Sequence, residues 1–166
     1  MAAANPCPCG YFGDPEKECK CHPSQIQNYR RKLSGPLMDR VDIFVTVPQL
    51  KYDKLTAPDE ENSSKVIREK VEKAREIQRE RFTEHINRYV LGLTNSEMDI
   101  PKIKKYCQID SKSEGLLRKY VDSGKLSARG YHRVLKVGRT IADLDDSENI
   151  QYNHLSEALM YRIRED

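Results

Sequence analysis

The sequence lacks tryptophan, has only 8 glycines and 8 prolines, and contains no long apolar stretch. A membrane-spanning helix needs about 20 consecutive apolar residues, and a secretory signal needs a basic start followed by an apolar segment. The opening letters MAAANPCPCG provide neither. We therefore expect no membrane association and a cytoplasmic location. At 166 residues, with 37% hydrophobic and 33% charged residues, the composition favours a helix-rich protein of one domain or two small ones.

Charge of one sign is also scarce, because the formal net charge is only +3. A value this small does not by itself indicate binding to nucleic acid. The charges are nevertheless distributed unevenly: residues 129–139 contain basic but no acidic side chains, and residues 143–148 contain acidic but no basic ones. Local fields are therefore expected to matter more than the total charge.

Cysteine is concentrated in one short segment. Four of the five cysteines lie within fifteen residues, and Cys107 stands apart; the four are Cys7, Cys9, Cys19 and Cys21. Clustered thiols in a cytoplasmic protein favour a metal over disulfides, and two Cys-x-Cys pairs can supply the four ligands of structural zinc. His22 is a competing ligand, and reduced cysteines packed in a loop are the alternative. Because the segment has few apolar side chains, a structural metal explains its order better.

Between these cysteines and residue 62 the pattern predicts a helix, a strand and a linker. A helix should begin at Ser24 and stop at the Ser34-Gly35-Pro36 sequence. Apolar and polar residues alternate from Val41 to Val47, which predicts a β-strand closed by Pro48. Residues 49–62 are polar, so we predict a boundary between a first domain, residues 1–60, and a second, residues 61–166.

The remainder of the chain predicts an all-helical bundle of about four or five helices. A long, highly charged helix should follow residues 62–64, with one apolar face packed on the bundle and its charged faces in solvent. Each later helix has a start signal and an apolar face with helical spacing. The predicted starts are Asp99, a capping box at Ser111 and Glu114, Ser127 and Asn153; the apolar positions of the long helix are Ile67, Val71, Ala74 and Ile77, and those of the helix after Ser127 are Tyr131, Val134, Leu135, Gly138, Ile141 and Ala142.

No nucleotide-binding loop of the form GxxxxGK followed by serine or threonine is present, and GxGxxG, GxSxG and HExxH are also absent. Three long segments are more specific. They read, in order, NPCPCGYFGDP, YRRKLSGPLMDRVDIFVTVP and LSARGYHRVLKVGRTIADLDDSENIQYNHLSEALMYR. Together they resemble the C-terminal half of magnesium-chelatase-like AAA+ ATPases of the bacterial ComM competence group, from Asn5 to about Arg162.

This resemblance implies a fold that is mostly α with a small α/β remnant, in which a zinc-containing insertion precedes a helical lid domain. It also implies that the chain is a fragment, since the family's Walker A and Walker B motifs lie upstream of the segment matched here. The intact protein would bind ATP and magnesium, form a homo-oligomeric ring such as a hexamer, and act on DNA in recombination or natural transformation. The fragment alone is expected to be inactive.

The resemblance also assigns three site residues. Asn5 falls on the sensor-1 position, where an amide can orient the water that attacks the γ-phosphate. Arg40 falls on the arginine finger, which reaches the nucleotide of a neighbouring subunit. Arg129 falls on the sensor-2 position of the lid. The residues alone favour Asn5 as a turn former before proline, and they favour Arg40 as a surface partner of Asp39 or Asp42.

Gly138 departs from the family pattern, which has a small residue such as alanine at this position. A glycine inside a helix costs about 1 kcal/mol relative to alanine, so we expect close packing there.

Two other function classes stay open. One is a zinc-dependent nucleic-acid-binding module based on the basic residues near the cysteines. The other is a protein-interaction module that docks through the long charged helix.

Overall fold

The structure, a computed structural model, describes residues 1–32, 39–48, 63–83 and 94–162. Within these ranges the chain forms helices and no β-strand. The helices are α1 (Pro23–Lys32), α2 (Ser64–Thr83), a 3-10 turn (Asn95–Glu97), α3 (Ile100–Tyr106), α4 (Ser111–Asp122), α5 (Ala128–Leu144) and α6 (Tyr152–Met160). The chain divides into two compact units, Met1–Val41 and Asp42–Asp166.

The first unit contains the cysteine loop and α1. Helix α1 has the predicted position, although no residue of it is buried. Its proposed stop signal and the polar segment 49–62 both lie outside the described residues. The domain boundary near residue 60 therefore stays a prediction.

The second unit is the expected helical bundle, organised around α5. Helix α5 packs against the other four helices of the unit and against the 3-10 turn. Its predicted apolar face is buried, except that Tyr131 is only half-buried. The core consists of Phe82, Met98, Ile103, Cys107, Leu117, Leu126, Val134, Leu135, Ile141, Ala142, Ile150, Leu155, Ala158 and Leu159.

Polar side chains cap the helices at or next to the predicted residues. The Ser127 hydroxyl accepts a 3.0 Å hydrogen bond from the Gly130 amide, as the sequence predicts. The prediction for α4 is wrong in detail, because Asp110, rather than Ser111, accepts from the Ser113 amide at 2.8 Å. A carboxylate caps as well as a hydroxyl does, and its charge also complements the helix dipole.

The predicted strand at residues 41–47 is not formed. The Phe44 amide of this segment donates to the Tyr161 carbonyl oxygen at 2.8 Å, and Tyr161 follows the last helix rather than lying in a strand. Val45 and Val47 are 67% and 81% exposed. An alternating pattern becomes a strand only beside a partner strand, and the described parts of the second unit supply none.

Two other packing features differ in how well the sequence anticipates them. The predicted apolar face of α2 is largely wrong: only Ala74 of it is buried, together with Gln78 and Phe82. Ile67 and Val71 are 50% and 41% exposed. The prediction of close packing at Gly138 is confirmed, because a Cβ atom there would lie 2.7 Å from Cδ2 of Leu155.

Candidate metal centre

The cysteine loop folds back on itself through two glycine turns. Gly10 and Gly13 have φ angles of +87° and +81°, a region that glycine enters without strain. The Gly10 amide donates to the Cys7 carbonyl oxygen at 3.0 Å and closes the first turn. The Asp14 side chain then accepts from the amides of Glu16 and Lys17 at 2.8 and 2.9 Å. These turns direct the second cysteine pair back towards the first.

The four sulfur atoms converge with spacings that fit a tetrahedral metal. The Sγ of Cys7 lies 3.4 Å from that of Cys9 and 3.7 Å from that of Cys19, and Cys9 and Cys19 are 3.6 Å apart. All four, with Cys21, lie within 4.8 Å of one another. Zinc–sulfur bonds of about 2.3 Å in a tetrahedron place sulfur atoms about 3.8 Å apart, whereas a disulfide needs about 2.05 Å. The cysteines are free thiols, so the spacing matches shared metal coordination.

His22 does not join this group. Its Nδ1 lies 2.8 Å from the Ser24 hydroxyl at the start of α1. Its backbone amide donates to the Gln25 side chain at 2.9 Å. The competing ligand that the sequence offered therefore serves the beginning of a helix, and the candidate ligand set consists of the four cysteines.

The thiols perturb one another's pKa. The backbone amide of Tyr11 stabilises the Cys9 thiolate and lowers the pKa of Cys9 to about 6, although burial acts against it. The pKa of Cys21 rises to about 12: a Cys9 backbone bond favours its thiolate, but burial and the three nearby sulfur atoms disfavour another negative charge more strongly. The positive charge of a bound divalent cation would offset this repulsion, so that all four thiols could be deprotonated, as metal-bound thiols are.

The chemistry of the donor set favours a structural role. Four thiolates fill a tetrahedral zinc ion, so no position stays open for a water molecule or substrate. Cys7 is fully buried, while the other three are partly exposed. A metal bound here would hold the two arms of the loop together in a segment with little hydrophobic core.

The three predicted nucleotide-site residues lie in different units. Asn5 and Arg40 belong to the first unit and are exposed. The Asn5 side chain lies against the cysteine loop, 3.9 Å from the position that a Cβ of Gly10 would take. Arg129 is exposed in the first turn of α5, in the second unit. Their roles as sensors and finger stay predictions.

Sequence reasoning missed a buried polar cluster in the second unit. The Asp143 carboxylate accepts from Arg81 at 2.5 and 2.8 Å, from Arg139 at 3.0 Å and from Asn95 at 2.7 Å. Arg139 also donates to the carbonyl oxygens of Glu148 and Ser147 at 2.7 and 2.6 Å. The spacing of Arg139 and Asp143 was a readable signal, since residues four apart meet on a helix. Arg81 is distant in sequence and carried none.

No helix in the described ranges is both long and apolar enough to span a bilayer.

Among the described residues, one compact unit carries the cysteine cluster and the other carries the helical bundle. The family model "Magnesium chelatase, subunit ChlI C-terminal" matches residues 61–162, and "Magnesium chelatase, subunit ChlI" matches residues 1–55. The chain belongs to the magnesium chelatase subunit ChlI family, which confirms the resemblance found in the sequence.

Similar proteins come from several bacteria. The competence protein ComM of Haemophilus influenzae is 39% identical over 163 residues, which cover 98% of this chain and 30% of that protein. The uncharacterized protein YifB of Escherichia coli is 34% identical over 165 residues, covering 98% and 30%. Rv2897c of Mycobacterium tuberculosis is 37% identical over 162 residues, covering 98% and 31%. The chain thus spans less than a third of the length of these curated relatives.

Proposed function

We propose that this chain is the C-terminal part of a magnesium-chelatase-like AAA+ ATPase that couples ATP hydrolysis to DNA remodelling or branch migration. The observation that carries the proposal is the match over 98% of the chain to a protein named for competence. In the intact protein, ATP and magnesium would bind the part of the ATPase core outside this chain. The subunits would form a ring, such as a hexamer, on DNA.

Within this chain, the proposal assigns a structural zinc ion to Cys7, Cys9, Cys19 and Cys21. Zinc would fix the loop that carries Asn5 beside it. That placement is consistent with a sensor amide, which must be held still to orient a water molecule.

Zinc content tests the first part directly. Elemental analysis of the chain purified without chelator should give one zinc per chain. Cys7→Ser should lower this value towards zero, because three thiolates and a hydroxyl bind zinc poorly. Cys107→Ala is the matched control: Cys107 is a buried cysteine of the helical core and should not affect zinc content. A metal-free chain in which residues 5–23 remain ordered would contradict the assignment.

The two arginines divide the work of the proposed active site. Arg40 would act across the subunit boundary on the transition state, so Arg40→Ala in the intact protein should abolish hydrolysis and leave nucleotide binding largely unchanged. Arg129 would contact the phosphates from the lid of the same subunit. Arg129→Ala should therefore weaken both binding and hydrolysis.

Matched controls are exposed arginines outside these positions. Arg31 in the last turn of α1 and Arg118 on α4 are both exposed, and their alanine variants should keep normal turnover. Mixing Arg40→Ala subunits with subunits defective in Walker A should restore some activity, since some junctions then pair an intact finger with an intact pocket. Normal turnover of Arg40→Ala alone, or a co-assembled mixture that stays inactive, would refute the finger.

A second candidate function is a zinc-dependent nucleic-acid-binding module without ATPase activity. The first unit favours it with six basic against four acidic side chains in residues 1–41. Absence of hydrolysis in the intact protein, together with salt-dependent DNA binding by this chain, would select this alternative.

A further inference from the structure

The tip of the cysteine loop exposes two adjacent aromatic rings. Tyr11 and Phe12 are 38% and 42% exposed, in a protein that has only 7% aromatic residues. They lie between Gly10 and Gly13, whose positive φ angles turn the chain on either side of them. Large exposed aromatic side chains at the tip of a loop are characteristic of contact surfaces rather than of a core.

Each ring has a basic side chain above it. The Lys17 Nζ lies 5.0 Å from the centroid of the Tyr11 ring, and the Arg30 guanidinium carbon lies 5.1 Å from that of Phe12. These are cation–π distances. The surface formed by Tyr11, Phe12, Lys17 and Arg30, here called the aromatic tip, therefore combines two flat apolar groups with two positive charges.

The metal centre and the aromatic tip are mechanically connected. Tyr11 and Phe12 follow Cys9 by two and three residues, and the amide of the intervening Gly10 donates to the Cys7 carbonyl oxygen at 3.0 Å. The residues that carry the rings therefore continue directly from the turn that holds the first cysteine pair. Order at the metal centre fixes the backbone positions of both rings.

We propose that the aromatic tip binds single-stranded nucleic acid by stacking two bases on the faces of Tyr11 and Phe12 opposite to Lys17 and Arg30, while these two cations neutralise the adjoining phosphates. Single strands expose base faces that can stack on aromatic side chains, whereas the bases of a duplex are already stacked. Two rings, each with a cation beside it, offer contacts for both the bases and the phosphates of a strand. The inference rests on the proposed DNA-directed function and deepens it by naming the form of nucleic acid and the residues.

The test is binding of the full 166-residue zinc-loaded chain to a labelled oligo-dT strand, measured by fluorescence anisotropy at low salt without ATP. We expect the single strand to bind at least about 10-fold more tightly than a duplex of the same length. Tyr11→Leu and Phe12→Leu should each weaken binding by about 5-fold or more, and Phe12→Tyr should retain it. Lys17→Gln should reduce the salt dependence.

A matched control exists in the helical unit. Tyr152 is 36% exposed and has the Lys112 Nζ 4.4 Å from its ring centroid. Tyr152→Leu removes a similar exposed cation–π pair, and we expect it to leave the affinity unchanged. Zinc content measured on each variant checks that the loop is intact, so a loss of affinity with zinc retained supports the aromatic tip.

Three results would overturn the proposal: no binding by the wild-type chain, equal affinity for strand and duplex, or unchanged affinity in Tyr11→Leu and Phe12→Leu. Replacing oligo-dT by oligo-U distinguishes a DNA from an RNA ligand with the same stacking chemistry. Because no nucleotide is present, the outcome is independent of the ATPase assignment. Normal ATPase activity of the intact protein, together with no binding of the single strand by this chain, would refute the proposal for the aromatic tip and leave the ATPase assignment standing.

Discussion

Asp143 is the side chain whose replacement should damage the helical unit most clearly. Its carboxylate is fully buried and paired with Arg139 and Arg81, whose side chains are 4% and 12% exposed. Asp143→Asn preserves the size of the side chain but removes the negative charge, so two buried guanidinium groups lose their counter-ion. Removing one partner of a buried ion pair costs about 3–5 kcal/mol in the free energy of unfolding, and we expect a loss in this range.

The measurement is urea unfolding followed by far-ultraviolet circular dichroism, with wild type and variant compared at the same pH. Glu114→Gln is the matched control, because the Glu114 and Arg118 side chains are 60% and 68% exposed and such pairs contribute about 0–1 kcal/mol. Adding Arg81→Met to Asp143→Asn should recover part of the loss, because it removes one of the unpaired charges and leaves the Arg139 bonds to the Ser147 and Glu148 carbonyl oxygens in place. A free energy of unfolding of the Asp143→Asn variant within about 1 kcal/mol of the wild-type value would refute the reasoning.

Three further predictions concern glycine packing, helix capping and the domain boundary. Gly138→Ala should destabilise the helical unit by about 1–2 kcal/mol, because the new methyl group would lie 2.7 Å from the buried Leu155 side chain. Gly115→Ala is the control: the added methyl group has open space, so the variant should be more stable by up to about 1 kcal/mol. Melting temperatures in the opposite order would contradict this prediction. Asp110→Ala should cost about 1 kcal/mol and Ser111→Ala clearly less, and equal unfolding midpoints would reject Asp110 as the cap. Limited proteolysis should cut first within residues 49–62 and release a piece that keeps its helical dichroism; loss of helicity would argue for one continuous core.

Local chemistry explains what could be predicted from the sequence. Ser127 caps α5 as expected, because a cap depends on a side chain and the amides of the next turn. The apolar face of α5 was readable because helical spacing places its residues on one side. The four cysteines could be grouped from the sequence because a short loop between the two pairs keeps their side chains close in space. Family membership could be read from long ordered segments even without the nucleotide-binding motif.

Tertiary structure decided the features that depend on a distant partner. Residues 41–47 have a strand pattern, but alternation does not provide the second strand that backbone hydrogen bonding needs, and the described residues leave the segment unpaired with any strand. The choice between His22 and cysteine as ligand depended on where each side chain lies after the loop has turned.

The buried polar cluster illustrates the same limit most plainly. The pair of Arg139 and Asp143 lies on one helix and is local, but the second arginine, Arg81, is 62 residues from Asp143 in the sequence. From the sequence, Arg81 is one of many charged residues on a helix expected to be solvated, and only the packing of α2 against α5 buries it. The sequence by itself determined which residues could cap, coil or bind a metal, since those interactions span a few residues. Only the tertiary structure decided which charges are buried together, because burial depends on elements that meet across the fold.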